Sequence, residues 1–288
     1  MKILVTGCNG QLGRAINQQY AGDTDVEMIN TDVFQPDVME LDITNIDKVL
    51  SVILEVKPDV IINCAAHTAV DLCESQQDAA YRINAIGPRN LSIAAAKVGA
   101  KMVHVSTDYV FEGNGTKPYM EFDTPNPQGM YGATKLAGEQ FVQQFAKDYF
   151  IIRTAWLYGE GKNFVKTMLR LAETNDTVRV VGDQYGTPTS AVELAKAIKY
   201  LIPTSNYGIF HGTCEGMCSW ADFAKEIFRQ AGMDVKVLPV SSVEFPTKAK
   251  RPTNSRLEKK KLEEHGFTRL PDWKDALGRY LKEIQQNN

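Results

Sequence analysis

Short apolar runs alternate with segments of helical period from the second residue to about residue 155, and few folds accept that pattern. Residues 2–6, 26–31, 60–62, 102–105 and 150–153 have strand length and are rich in Val and Ile. Between them, Ile46, Val49, Leu50, Ile53 and Leu54 repeat at helical spacing, and 11–20, 76–98 and 129–147 read as helices. Strands alternating with helices predict an α/β chain, a Rossmann-type doubly wound parallel sheet covered on both faces. After residue 155 the alternation loosens. Shorter strands are expected at 178–181, 208–211 and 235–239, among prolines at 188, 203, 239, 246, 252 and 271. The expected division is a dinucleotide-binding domain over 1–155, with segments near 178–215 returning to it. Residues 156–288 would form, mainly and discontinuously, a smaller α/β substrate domain. The polar end 284–288 is expected to fray.

Charge and composition narrow the function classes. Lys plus Arg is 32 against 35 for Asp plus Glu, a net charge of −3, so no footprint for nucleic acid is present. No apolar run approaches the roughly 18 residues of a membrane helix. The first segment reaches Gly7 too soon for a signal peptide. Five irregularly spaced cysteines do not read as a disulfide framework. These features predict a cytoplasmic enzyme.

Gly7-Cys8-Asn9-Gly10-Gln11-Leu12-Gly13 places G-x-x-G-x-x-G between the first strand and the first helix. Glycines there let the backbone turn tightly and approach a pyrophosphate, which the helix N-terminus attracts. Asp32 ends the second strand where an acid reaches the ribose hydroxyls of an adenosine, favouring NADH, although it also suits a turn. Arg14 follows the loop and could meet the 2′-phosphate of NADPH, so NADP(H) and NAD(H) both stay open. Asp42 and Ile43 could bracket the adenine, or Asp42 could cap the helix beginning near Asn45.

Tyr131 and Lys135 lie four residues apart, on one helix face. An ammonium beside a phenol is expected to lower its pKa from near 10 and make it a usable general acid toward a carbonyl. Ser106-Thr107-Asp108 ends a strand, which puts a hydroxyl in the crevice where doubly wound sheets bind ligands. His104 lies within that strand and reads as core. Cys214, Cys218 and His211 fit no common zinc spacing. No G-x-S-x-G elbow supports nucleophilic hydrolysis.

The glycine loop, Asn63-Cys64-Ala65-Ala66, Ser106-Thr107-Asp108 and the Tyr131–Lys135 pair together resemble the extended short-chain dehydrogenase/reductase family. Four further stretches resemble its branch that reduces the 4-keto group of a dTDP-linked deoxysugar: 65–71, 106–111, 153–156 and 251–257. The resemblance implies Thr107 beside the keto oxygen, Tyr131 as proton donor, and Lys135 tuning it and binding the cofactor. Gly7, Gly10, Gln11, Leu12, Gly13, Asp32, Asp42, Ile43, Ala65, Ala66, His67 and Tyr131 would bind the cofactor. Asp108 and Trp156 would contact the nucleotide-sugar, although Trp156 after a strand could equally be core. The basic stretch Lys248, Lys250, Arg251 and Arg256, with Asn254, would meet its diphosphate or be a solvated face.

Some members of that branch hold magnesium through glutamates at a dimer interface. The corresponding positions here are Ala15 and Val192, which cannot ligate, so no metal and a monomer or weak homodimer are expected. Dehydratases of the family resemble Thr-Asp-Glu where this chain has Thr107-Asp108-Tyr109, and a tyrosine cannot replace that acid at neutral pH. A related epimerase or reductase, and a non-catalytic subunit like that of methionine adenosyltransferase, are the alternatives.

Overall fold

The computed structural model describes residues 1–33 and 36–286. Six strands, β1 (Lys2–Thr6), β2 (Glu27–Asp32), β3 (Met39–Glu40), β4 (Val60–Asn63), β5 (Lys101–Thr107) and β6 (Tyr149–Thr154), join Gly208–His211 in a seven-stranded parallel sheet. The order is Gly208–His211, β6, β5, β4, β1, β2, β3. Strand order therefore reverses between β1 and β4, and a crevice opens there beyond the strand ends, the usual ligand position in such sheets.

Strand side chains alternate between two cores. Ile3, Val5, Ile62, Val103 and Ile152 face the helices α1 (Gln11–Tyr20) and Ala191–Leu201. Leu4, Ile61, Met102 and Ile151 face α2 (Ile46–Val56), Gly87–Val98 and Met130–Phe145. Both faces are buried, which is why these strands read as continuous apolar runs. The Asn45 side chain caps α2 by accepting from the Lys48 N–H at 3.1 Å. The expected helix at 76–98 is divided: Gln77–Tyr81, a π-helical turn Arg82–Ile86, then Gly87–Val98.

Among the described residues the second half holds five helices that the sequence reading of 156–288 did not place: Phe164–Ala172, Ala191–Leu201, Trp220–Ala231, the short Lys260–Glu264 and Trp273–Gln286. Of the segments expected to return to the sheet, Gly208–His211 pairs with β6. Thr177–Val181 pairs instead with Lys236–Val240, in a separate two-stranded parallel sheet. Lys261 covers the outer side of Gly208–His211, with Nζ 2.7 Å from the Ile209 carbonyl and 4.4 Å from the Phe210 ring centroid. The last helix runs to Gln286, so Asn287 and Asn288 of the expected frayed end lie outside the described residues.

Candidate active site

The glycine loop is built for close approach. Gly7 has φ +65°, and a Cβ there would lie 2.7 Å from the Ala65 nitrogen. A Cβ at Gly13 would lie 2.6 Å from the Cys8 Cα, whereas one at Gly10 would meet only the Gly7 carbonyl at 3.2 Å. The outer glycines thus press backbone on backbone, and the middle one faces open space. Gly10, Cys64 and Ala66 line two adjoining cavities of about 570 and 600 Å³, which form one trough across the strand ends.

Asp32, Asp42, Ile43 and Ala65 line the first cavity. The Asp32 carboxylate accepts from Asn9 N–H at 3.0 Å and Val33 N–H at 2.9 Å, fixing the loop beside it. Asp42 accepts from Thr44 N–H at 2.8 Å, so it makes a turn while Asn45 is the cap. Arg14 is turned away from this cavity: it pairs with Glu160 beside a third depression, which Ala15 and Val192 also line. Among the described residues Arg82 is the one cation lining the first cavity, and the sequence reading missed it.

The second cavity brings together Gln11, Leu12, Thr107, Asp108, Tyr131, Lys135 and Trp156. Thr107 ends β5; its hydroxyl donates to Asp108 Oδ1 at 3.0 Å and accepts from Tyr109 N–H at 3.3 Å. Gly132 lets the Tyr131 helix approach, since a Cβ there would lie 2.9 Å from the Tyr109 carbonyl carbon. Lys135 is buried, and its Nζ donates to the Val105 carbonyl at 2.6 Å. Burial brings the Lys135 ammonium down to about 8, against the opposing pull of Glu139. The Tyr131 phenol does not move toward neutrality as expected: burial pushes its pKa up, and the Thr107 hydroxyl only partly opposes this. The ammonium is held by a carbonyl, and Asp108, Tyr109 and Cys73 near the phenol raise it further. Asp108, buried with Oδ2 unpartnered, is pushed up to about 6 by burial. Trp156 adopts φ +50° and stacks on Trp220 with ring centroids 3.6 Å apart.

Besides Gly13, which is pressed on the Cys8 backbone, three residues expected at the site line neither cavity. The His67 ring faces Cys73 Sγ at 3.4 Å and Gln76 Oε1 at 3.3 Å. Arg251 pairs with Asp71 at 2.6 Å and donates to the Tyr109 hydroxyl at 3.3 Å. Asn254 donates to the Lys117 carbonyl at 2.8 Å and accepts from Arg256 Nε at 2.6 Å. Asn84, absent from the sequence reading, holds the loop before the trough: its amide accepts from His67 N–H at 2.8 Å and donates to the His67 carbonyl at 3.1 Å and to Thr134 Oγ1 at 3.2 Å. His104 is fully buried against Asn63 at 3.1 Å, and Cys214 and Cys218 are buried free thiols. No group of three potential metal ligands occurs among the described residues, and none of their helices is long and apolar enough to cross a membrane.

A parallel sheet with a switch-point trough, a glycine cradle that any Cβ at Gly7 or Gly13 would fill, and an acid beside the adenosine end fit a dinucleotide. Together they define the class as dinucleotide-dependent α/β oxidoreductases. Within that class the chain belongs to the dTDP-4-dehydrorhamnose reductase family: the family described as RmlD substrate binding domain matches residues 1–286. A dTDP-4-dehydrorhamnose reductase from Clostridium acetobutylicum is 55% identical and superposes with TM-score 0.96, covering 99% of this chain and 100% of that one. The Bacillus anthracis dTDP-4-dehydrorhamnose reductase, solved in complex with NADP, is 45% identical with TM-score 0.92, covering 98% and 99%. The spore coat polysaccharide biosynthesis protein SpsK of Bacillus subtilis is 40% identical, covering 98% of this chain and 97% of its own.

Proposed function

We propose that this chain reduces the 4-keto group of dTDP-4-dehydro-L-rhamnose with NADPH or NADH, giving dTDP-L-rhamnose. The observation that carries the reading is a single trough in which Thr107, Tyr131 and Lys135 meet the glycine loop, in a chain of that reductase family. The cofactor would be held by Gly7, Gly10, Gln11 and Leu12, with Asp32, Asp42, Ile43, Ala65 and Ala66 toward its adenosine and Lys135 toward its second ribose. When bound, it supplies the hydride.

The protein's own work is position, proton and charge. Tyr131 gives its phenolic proton to the substrate oxygen as negative charge grows there. A phenol kept neutral by burial holds that proton until the oxygen is basic enough to take it. Thr107 donates a hydrogen bond to the same oxygen. The Lys135 ammonium stabilises the phenolate that remains. Asp108 and Trp156 contact the nucleotide-sugar, while His67, Arg251 and Asn254 act by fixing the walls around it. Residues 1–155 serve the cofactor and 156–288 mainly the sugar-nucleotide. The setting proposed is the cytoplasm; that the pathway supplies cell-surface polysaccharide is supported by the name of the SpsK relative, a spore coat polysaccharide biosynthesis protein.

The test is NADPH and NADH oxidation with dTDP-4-dehydrorhamnose. Tyr131→Phe keeps NADPH binding and loses about 10²-fold or more of turnover. Wild-type turnover in that variant refutes the assignment.

A further inference from the structure

We infer that Lys162 is a diphosphate-binding residue of the trough, an inference that rests on the nucleotide-sugar reductase reading. The second cavity is lined by two cations, Lys135 and Lys162, and one carboxylate, Asp108. Lys135 is 2% exposed, and its ammonium is committed to the Val105 carbonyl at 2.6 Å. Lys162 is exposed and makes no hydrogen bond or ion pair among the described residues.

The two arginines that the sequence offered for this role are engaged elsewhere, and the lysines beside them do not line the cavity. Arg251 is neutralised by Asp71, Arg256 donates to the Thr116 carbonyl at 2.7 Å, and none of the cations of that stretch lines the cavity. A dinucleotide and a nucleotide-sugar each bring a diphosphate with two negative charges into a trough whose first cavity holds, among the described residues, Arg82 as its one cation. Neither anion can be left unmatched beside buried Asp108 without cost.

The loop that carries Lys162 is anchored rather than free. Gln11 Oε1 accepts from Gly159 N–H at 2.8 Å, and the Gly159 carbonyl accepts from Tyr280 Oη at 2.6 Å. Glu160 is paired with Arg14, so its charge does not oppose an anion. Gly161, at φ +109°, turns the backbone, and Lys162 follows on the trough side next to Asn163 and Trp156. The cation therefore sits on a loop bonded to the glycine loop and beside the aromatic wall of the substrate cavity.

The test measures dissociation constants of dTDP and of NADPH for the wild type, Lys162→Ala and Lys162→Arg. Lys162→Ala weakens at least one of the two about tenfold, the size of one hydrogen bond to a charged group, and flattens its salt dependence. Lys162→Arg restores most of the loss. A loss confined to dTDP assigns Lys162 to the substrate diphosphate, and one confined to NADPH assigns it to the cofactor. Both affinities staying within twofold of wild type overturn the inference. A wild-type protein that binds NADPH but not dTDP counts against the reductase reading, and the NADPH arm still decides the role of Lys162.

Discussion

Removing Glu139 should destabilise the protein far more than an ordinary surface acid would. Its carboxylate is fully buried and grips the guanidinium of Arg153, 2% exposed, through contacts of 2.9 Å at Nε and 2.7 Å at Nη2. Without it Arg153 keeps the Glu121 carbonyl at 3.4 Å and the Phe111 ring at 5.0 Å, neither of which balances a full charge. Breaking a buried pair on one side costs about 3–5 kcal/mol, because the surviving charge is uncompensated. At roughly 2–4 °C per kcal/mol for a domain somewhat smaller than this chain, Glu139→Ala should lower Tm by about 6–20 °C. Urea titration at pH 7 should show the same loss as a lower midpoint at unchanged slope. The double variant Glu139→Leu/Arg153→Met removes both charges and should recover most of the stability. A single-variant loss below about 1 kcal/mol, or a double variant as unstable as the single, refutes the orphaned-charge reasoning.

Two other outcomes follow from the titrating groups of the trough. Burial depresses Lys135 to about 8, so its ammonium is present below that pH and lost as pH rises through it. kcat/KM should therefore fall on the alkaline side with an apparent pKa near 8, about two units below an ordinary lysine; a flat profile to pH 9.5 contradicts the role given to Lys135. For Asp108, the folded protein keeps a proton up to about pH 6 that the unfolded chain releases near 3.8. The folded state binds more protons in that window, so stability falls as pH rises from about 4 to 6 and stays low above it. Asp108→Asn should thus stabilise the protein at pH 7, by up to about 3 kcal/mol for a shift of some two units, while weakening turnover; thermal melts at pH 4 and pH 7 check the sign.

The legible parts of this molecule were those with local signatures. The glycine loop, the apolar strands and the Tyr131–Lys135 spacing depend on neighbours in sequence, and each is where its spacing predicts. The helices of the second half also carried signals. Asn163 caps Phe164–Ala172 by accepting from Lys166 N–H at 3.0 Å, and Ser219 with Asp222 forms a capping box. What could not be read locally is partnership. Asp71 lies 180 residues from the arginine it neutralises, so Arg251 looked free for an anion. Asn84 gave no motif, because its role comes from a π-turn that aims its amide at the His67 backbone. The upward shift of Tyr131 arises from burial, which only the assembled trough supplies.

Lys261 gives the sheet a property that its topology alone would not. Unpaired strand edges invite a foreign strand to add on, and natural sheets deter this with lysines and short edges. Here one border strand, Met39–Glu40, is only two residues long, and at the other the Lys261 ammonium occupies the Ile209 carbonyl. Each margin thus carries one of these deterrents. A foreign strand adding beside Gly208–His211 would first have to displace that ammonium, which raises the cost of edge pairing there.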